Sequence, residues 1–152
     1  MLKVIKGYPA PASIPAGIAL FLFGLFEVFT VYVNLHTLTN PQRIVAMLIT
    51  FSALTGGIAD LWGFRHFRRN GLPSADTNSA QYVNVGQLHL ASGFGLVLGL
   101  TLHIVLGFTG VVGIWYVWLL LILSGFNGII DGIQYLQWGA PQNMRSVSKD
   151  DY

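Results

Sequence analysis

The chain contains no cysteine. That excludes disulfides, thiolate metal sites, cysteine-ligated iron–sulfur clusters and thiol redox chemistry, so a cofactor would need histidine, carboxylate or backbone ligands. Charge is also scarce. Aspartate, glutamate, lysine and arginine make up 9 % of 152 residues, against roughly 25 % in an average soluble domain. A surface so short of charge does not keep a monomer in solution, and lipid must cover most of it. There is no phosphate-binding glycine loop, no Ser–His–Asp or Cys–His signature, no Glu-x-x-His pair and no nucleic-acid module.

Apolar residues are abundant instead, at 53 % of the chain. They gather in four runs, about 14–36, 44–64, 88–108 and 112–136, each near the ~20 residues a helix needs to cross a ~30 Å hydrocarbon layer. Lys3 and Lys6 precede the first run, as in a signal peptide. The run is too long for that, no small-residue cleavage site follows it, and we read it as a retained span. Short turns join the first run to the second (Thr37 to Pro41) and the third to the fourth (Gly107 to Gly110). A polar segment from Phe67 to Gln87 is expected to form a longer middle loop. The predicted fold is therefore all-α, an integral membrane four-helix bundle of up-down-up-down topology spanning 14–138. A short segment, 1–13, precedes it and a polar tail, 139–152, follows.

The two hairpins carry a weak internal repeat. Ala16-Gly17-Ile18-Ala19-Leu20 matches Ser92-Gly93-Phe94-Gly95-Leu96, and Gly57-Ile58-Ala59-Asp60 matches Gly128-Ile129-Ile130-Asp131. Such a parallel repeat relates two halves by an axis along the membrane normal.

Orientation follows from the basic residues. Lys3, Lys6, Arg65, Arg68, Arg69, Arg145 and Lys149 share one side of an even-span topology, and Arg43 is alone on the other. The positive-inside rule puts both termini and the middle loop in the cytoplasm of a cell-membrane protein. Arg65, Arg68 and Arg69 then act as a topology anchor and a contact for anionic lipid.

Ionisable side chains inside a bilayer are costly unless paired or hydrated, so they mark the interior. They are Glu27, Asp60, His89, His103 and Asp131, with His36 and His66 at helix ends. At ~100° per residue each shares a face with small or polar neighbours. The faces predict a buried polar network of Glu27, Asn34, Asp60, His103, Asn127, Asp131 and Gln134. Asp60 and Asp131 should lie at similar depth, and Glu27 and His103 are placed to pair.

Four functional readings compete for these residues. One is haem b, with His89 and His103 fourteen residues apart on one helix and His66 and His36 as their axial partners. A metal site built from Asp60, Asp131 and either His66 or His89 is the second, although no metal is assigned. Ion or proton conduction along the polar residues is the third. The fourth, which we favour, is a small non-catalytic subunit of a larger membrane complex such as a respiratory or oxidative enzyme. It binds other integral membrane subunits and lipid, and it carries no cofactor of its own.

Overall fold

The computed structural model describes residues 13–70, 79–106 and 115–139. It consists of four helices: α1 (Ser13–Val33), α2 (Asn40–Asn70), α3 (Ser79–Val105) and α4 (Trp115–Gly139). All four contain a stretch long and apolar enough to span a membrane. Their outer faces are large and apolar, including Phe26, Phe29, Phe51, Phe94, Phe126 and Ile130, all exposed. In water such a surface would aggregate; against acyl chains it is the ordinary exterior of a spanning bundle. The chain is a multi-pass membrane protein.

Helix ends are set by local chemistry. Thr39 caps α2: its backbone N–H and its hydroxyl both donate to Gln42 Oε1, at 2.8 and 3.0 Å. The Gln42 side chain thus reaches back to the N-cap residue, one half of a Thr-x-x-Gln capping box, with Pro41 placed in the first turn where its missing N–H costs nothing. At the other side of the turn, Asn34 Nδ2 donates to the Thr30 carbonyl at 2.9 Å. Arg43 Nη2 reaches across to the Leu35 carbonyl at 2.7 Å, a cation on carbonyls that the end of α1 leaves open.

Three boundaries differ from the apolar runs by four residues or more, one being the end of α2, which continues to Asn70 rather than stopping near 64. Helix α2 starts at Asn40 rather than near 44, because the capping box sits among polar residues that hydropathy does not register. Helix α3 starts at Ser79, nine residues before Leu88, so much of the expected middle loop is helix. The extension has its own apolar face: Tyr82, Val85, Gly86 and His89 recur at helical spacing and are buried.

The helices pack in chain order, α1 on α2, α2 on α3 and α3 on α4. Lipid tails are as apolar as leucine, so close backbone approach through small residues replaces the hydrophobic effect as the adhesive. A Cβ on Gly57 would lie 2.7 Å from the Gly17 carbonyl oxygen, and one on Gly93 would lie 2.5 Å from that of Gly125. A Cβ on Gly128 would lie 3.4 Å from the Gly93 Cα. The repeat aligned Gly17 with Gly93 and Gly57 with Gly128, but the close partner of Gly93 is Gly125, three residues earlier than the alignment puts it.

The main apolar core lies between the central helices, with Val45, Ile49 and Ala53 of α2 against Leu96 and Leu100 of α3, and Leu121 of α4 beside them. A smaller cluster, Tyr82, Val85 and Tyr135, sits towards the other end. Ser92 Oγ donates to the Ser52 carbonyl at 2.7 Å and ties α3 to α2. Helices α1 and α4 do not form a packed pair among the described residues. They face one another across a cleft, and the bundle is open along that seam.

Candidate functional site

The cleft has a volume of about 350 Å³ and is lined from all four helices. Helix α1 contributes Ala16 and Leu20, α2 Gly56 and Asp60, and α3 His89 and Ser92. Helix α4 presents Leu120, Leu123, Ser124, Asn127 and Gly128. The α4 set follows i, i+3, i+4, i+7, i+8 spacing, which makes it one continuous stripe of that helix.

Asp60 and His89 meet at the cleft wall. His89 Nε2 and Asp60 Oδ1 are 3.0 Å apart, with the two side chains 4 % and 12 % exposed. The second ring nitrogen, Nδ1, lies 2.9 Å from the Val85 carbonyl. A carbonyl oxygen only accepts, so Nδ1 carries a hydrogen and donates it. One further proton is therefore shared between Nε2 and the Asp60 carboxylate. The imidazole also lies over the Tyr135 ring, with centroids 5.3 Å apart and planes at 24°. Two hydrogen bonds and a ring contact hold its orientation.

Asp131 completes the cluster. Asn127 Nδ2 donates to Asp131 Oδ2 at 2.8 Å, one turn earlier on α4. One ligand atom each from Asp60, His89 and Asp131 lies within 4.8 Å of the others. The expected common depth of Asp60 and Asp131 is thus observed, and three helices contribute one group apiece. Helix packing explains the convergence. Gly17 allows α1 to sit against Asp60, where a Cβ would come within 2.7 Å of the Asp60 Cβ. Gly63 of α2 leaves room for the Tyr135 hydroxyl, which a Cβ there would meet at 2.7 Å.

The remaining candidates are placed elsewhere. His103 stacks on Trp118, with centroids 4.2 Å apart, towards the other end of α3. Glu27 is buried, and its Oε1 has no hydrogen-bond partner. Glu27 belongs to α1 and His103 to α3, helices that are not principal packing partners. Asn34 caps the end of α1 and stands apart from the polar cluster. His36 is exposed in the turn after α1, and the side chain of His66 lies outside the described residues. Both ring nitrogens of His89 have partners within this chain, Nδ1 the Val85 carbonyl and Nε2 the Asp60 carboxylate.

Sequence reasoning grouped His89 with Asp60 and Asp131 only as one of two candidate histidines and did not include it in the buried polar network; the structure brings these three together. The signal was there: His89 lies seven residues after Tyr82 and four after Val85, on the face that α3 turns inwards. It also missed Ser52 and Ser92, whose bond lies in the same interior.

Comparison of the chain with models of known protein families, with curated proteins and with solved structures gives no match. The fold and site define a four-span membrane protein with a histidine–carboxylate cluster beside a lateral cleft.

Proposed function

We propose that the protein is a small integral membrane subunit whose open seam between α1 and α4 is covered by a transmembrane element of a larger complex. The observation that carries this reading is the pair of polar side chains within the α4 stripe that lines the cleft. Ser124 and Asn127 line the cleft at membrane depth, and the Asn127 side chain is exposed. Acyl chains offer no hydrogen bonds, so polar side chains facing lipid are unfavourable, whereas an adjoining helix satisfies them. Apolar faces alone do not distinguish a partner from lipid; polar side chains at a gap do. In this reading both termini are cytoplasmic and the Arg65, Arg68 and Arg69 cluster contacts anionic headgroups. A respiratory or oxidative enzyme is one kind of assembly that carries small membrane subunits of this sort.

Native mass measurement after mild detergent extraction from the protein's own membrane tests this directly. The expected species is heavier than the 16.6 kDa chain by a stoichiometric partner, and Asn127→Leu releases it. Recovery of a lone chain under conditions that keep other membrane complexes intact would overturn the proposal.

A further inference from the structure

We infer that Asp60, His89 and Asp131 form a binding site for a divalent first-row transition-metal ion. The proposal is independent of the partner reading, because it uses only groups within this chain.

Geometry is the first argument. Ligands at ~2.1 Å from one ion, in adjacent coordination positions, lie ~3 Å apart. The His89 Nε2 to Asp60 Oδ1 separation is 3.0 Å, and Asp131 brings a third donor within 4.8 Å. An ion at this point would draw the Asp131 carboxylate in by the remaining distance.

Preorganisation is the second. Metal-binding histidines usually donate their other N–H to a carbonyl or carboxylate, which fixes the tautomer and aims the lone pair. His89 does this through Nδ1 to Val85, and Tyr135 supports its ring. Asp131 is held in turn by Asn127. The ion takes the place of the proton that Nε2 and Asp60 share, and that proton leaves to solvent through the cleft.

Charge is the third. Two carboxylates face one histidine inside the bundle, and the arginines of the described helices, Arg43, Arg65, Arg68 and Arg69, all lie towards the ends of α2. A divalent cation balances such a pair.

The donor set selects the ion. One imidazole and two carboxylates without any thiolate suit Mn²⁺, Fe²⁺ or Zn²⁺. Calcium needs six to eight oxygens, and magnesium favours an all-oxygen octahedron. The adjoining 350 Å³ cleft leaves space for water or a small ligand in the other coordination positions.

The full chain in detergent, equilibrated with Mn²⁺, Zn²⁺ or Co²⁺ and desalted, tests the site by elemental analysis. About one equivalent per chain is expected, with Co²⁺ giving the visible absorption of nitrogen and oxygen coordination. Asp131→Asn keeps the shape and should weaken binding at least tenfold, while Asp131→His restores a donor and should restore binding. Helicity of each variant is checked by circular dichroism. The comparison of Asp131→His with wild type decides the matter should Asp131→Asn fail to fold. No stoichiometric retention of any of the three ions by wild type would overturn the proposal. So would binding that is equal in wild type and Asp131→Asn, or absent in a folded Asp131→His.

Discussion

His89 Nε2 and Asp60 Oδ1 lie 3.0 Å apart, although 29 residues separate them in the chain. Their contact joins α2 to α3 at the wall of the cleft. Removing one member of a buried pair leaves the other without its partner, which typically costs ~3–5 kcal/mol. Asp60 retains a little exposure, so we expect Asp60→Ala to cost about 2–3 kcal/mol, measured by thermal unfolding in detergent. A double-mutant cycle with His89→Ala should return a coupling of about 1–2 kcal/mol. Additivity within ~0.5 kcal/mol would show that the pair contributes nothing specific.

The glycine contacts make a sharper steric test. A Cβ at Gly93 would come within 2.5 Å of the Gly125 carbonyl oxygen, a backbone atom that cannot step aside. Gly93→Ala should therefore force α3 from α4 and destabilise the chain by about 1–3 kcal/mol. At Gly128 the nearest atom is 3.3 Å away, and alanine gains up to ~1 kcal/mol of helix propensity. We expect Gly128→Ala to be neutral within about 0.5 kcal/mol. Equal losses at both positions would mean that close packing of this hairpin is not as described.

Ser92 and Gly56 should be coupled. A Cβ on Gly56 would collide with the Ser92 hydroxyl, while the Ser92 Cβ would remain 3.4 Å away. Ser92→Ala alone removes one interhelical hydrogen bond, worth ~0.6 kcal/mol on average in membrane proteins. Gly56→Ala should cost at least 1 kcal/mol (~) in wild type and clearly less in the Ser92→Ala background. Unfolding of the four proteins in the cycle measures this, and an unchanged cost for Gly56→Ala would contradict it.

Glu27 behaves differently from Asp60. It is buried with Oε1 unpaired, so its carboxyl brings little stabilisation to this chain alone. Glu27→Gln should leave the thermal midpoint of the isolated protein unchanged or raise it. A fall comparable to that of Asp60→Ala would instead reveal a pairing such as the one with His103 read from the sequence.

Much of the fold was legible because the bilayer imposes a length on each apolar run. The four spans follow from runs of about twenty residues, and the repeat pointed to the small-residue faces on which the hairpins pack, though not to the glycine pairs in register. What hydropathy concealed were amphiphilic helix ends. Thr39 to Gln42 is polar yet forms one half of a capping box, and Ala80 to Gln87 is mixed in character yet buries Tyr82 and Val85. The site was half legible. Asp60 and Asp131 could be set at one depth by counting residues, and Asn127 joined Asp131 by helical spacing. Choosing His89 rather than His66 as the partner of Asp60 required knowing that α3 starts early and packs centrally on α2, and tertiary contacts of this kind leave no mark in single-chain periodicity. Nor does the sequence reveal that α1 and α4 stay apart, since both carry inward faces of small residues.

The open seam is tested most directly by thiol accessibility, for which a chain without cysteine is a ready background. Leu123→Cys places a thiol on the cleft wall, and Phe126→Cys places one on the exposed outer face of α4. Each is treated with a membrane-permeant maleimide, both in the native membrane and in vesicles holding the chain alone. We expect Leu123→Cys to be protected in the native membrane and to react in the vesicles, where water enters the polar cleft. Phe126→Cys, facing lipid, should be unreactive in the vesicles. Equal labelling of Leu123→Cys in the two settings would contradict a partner-covered seam.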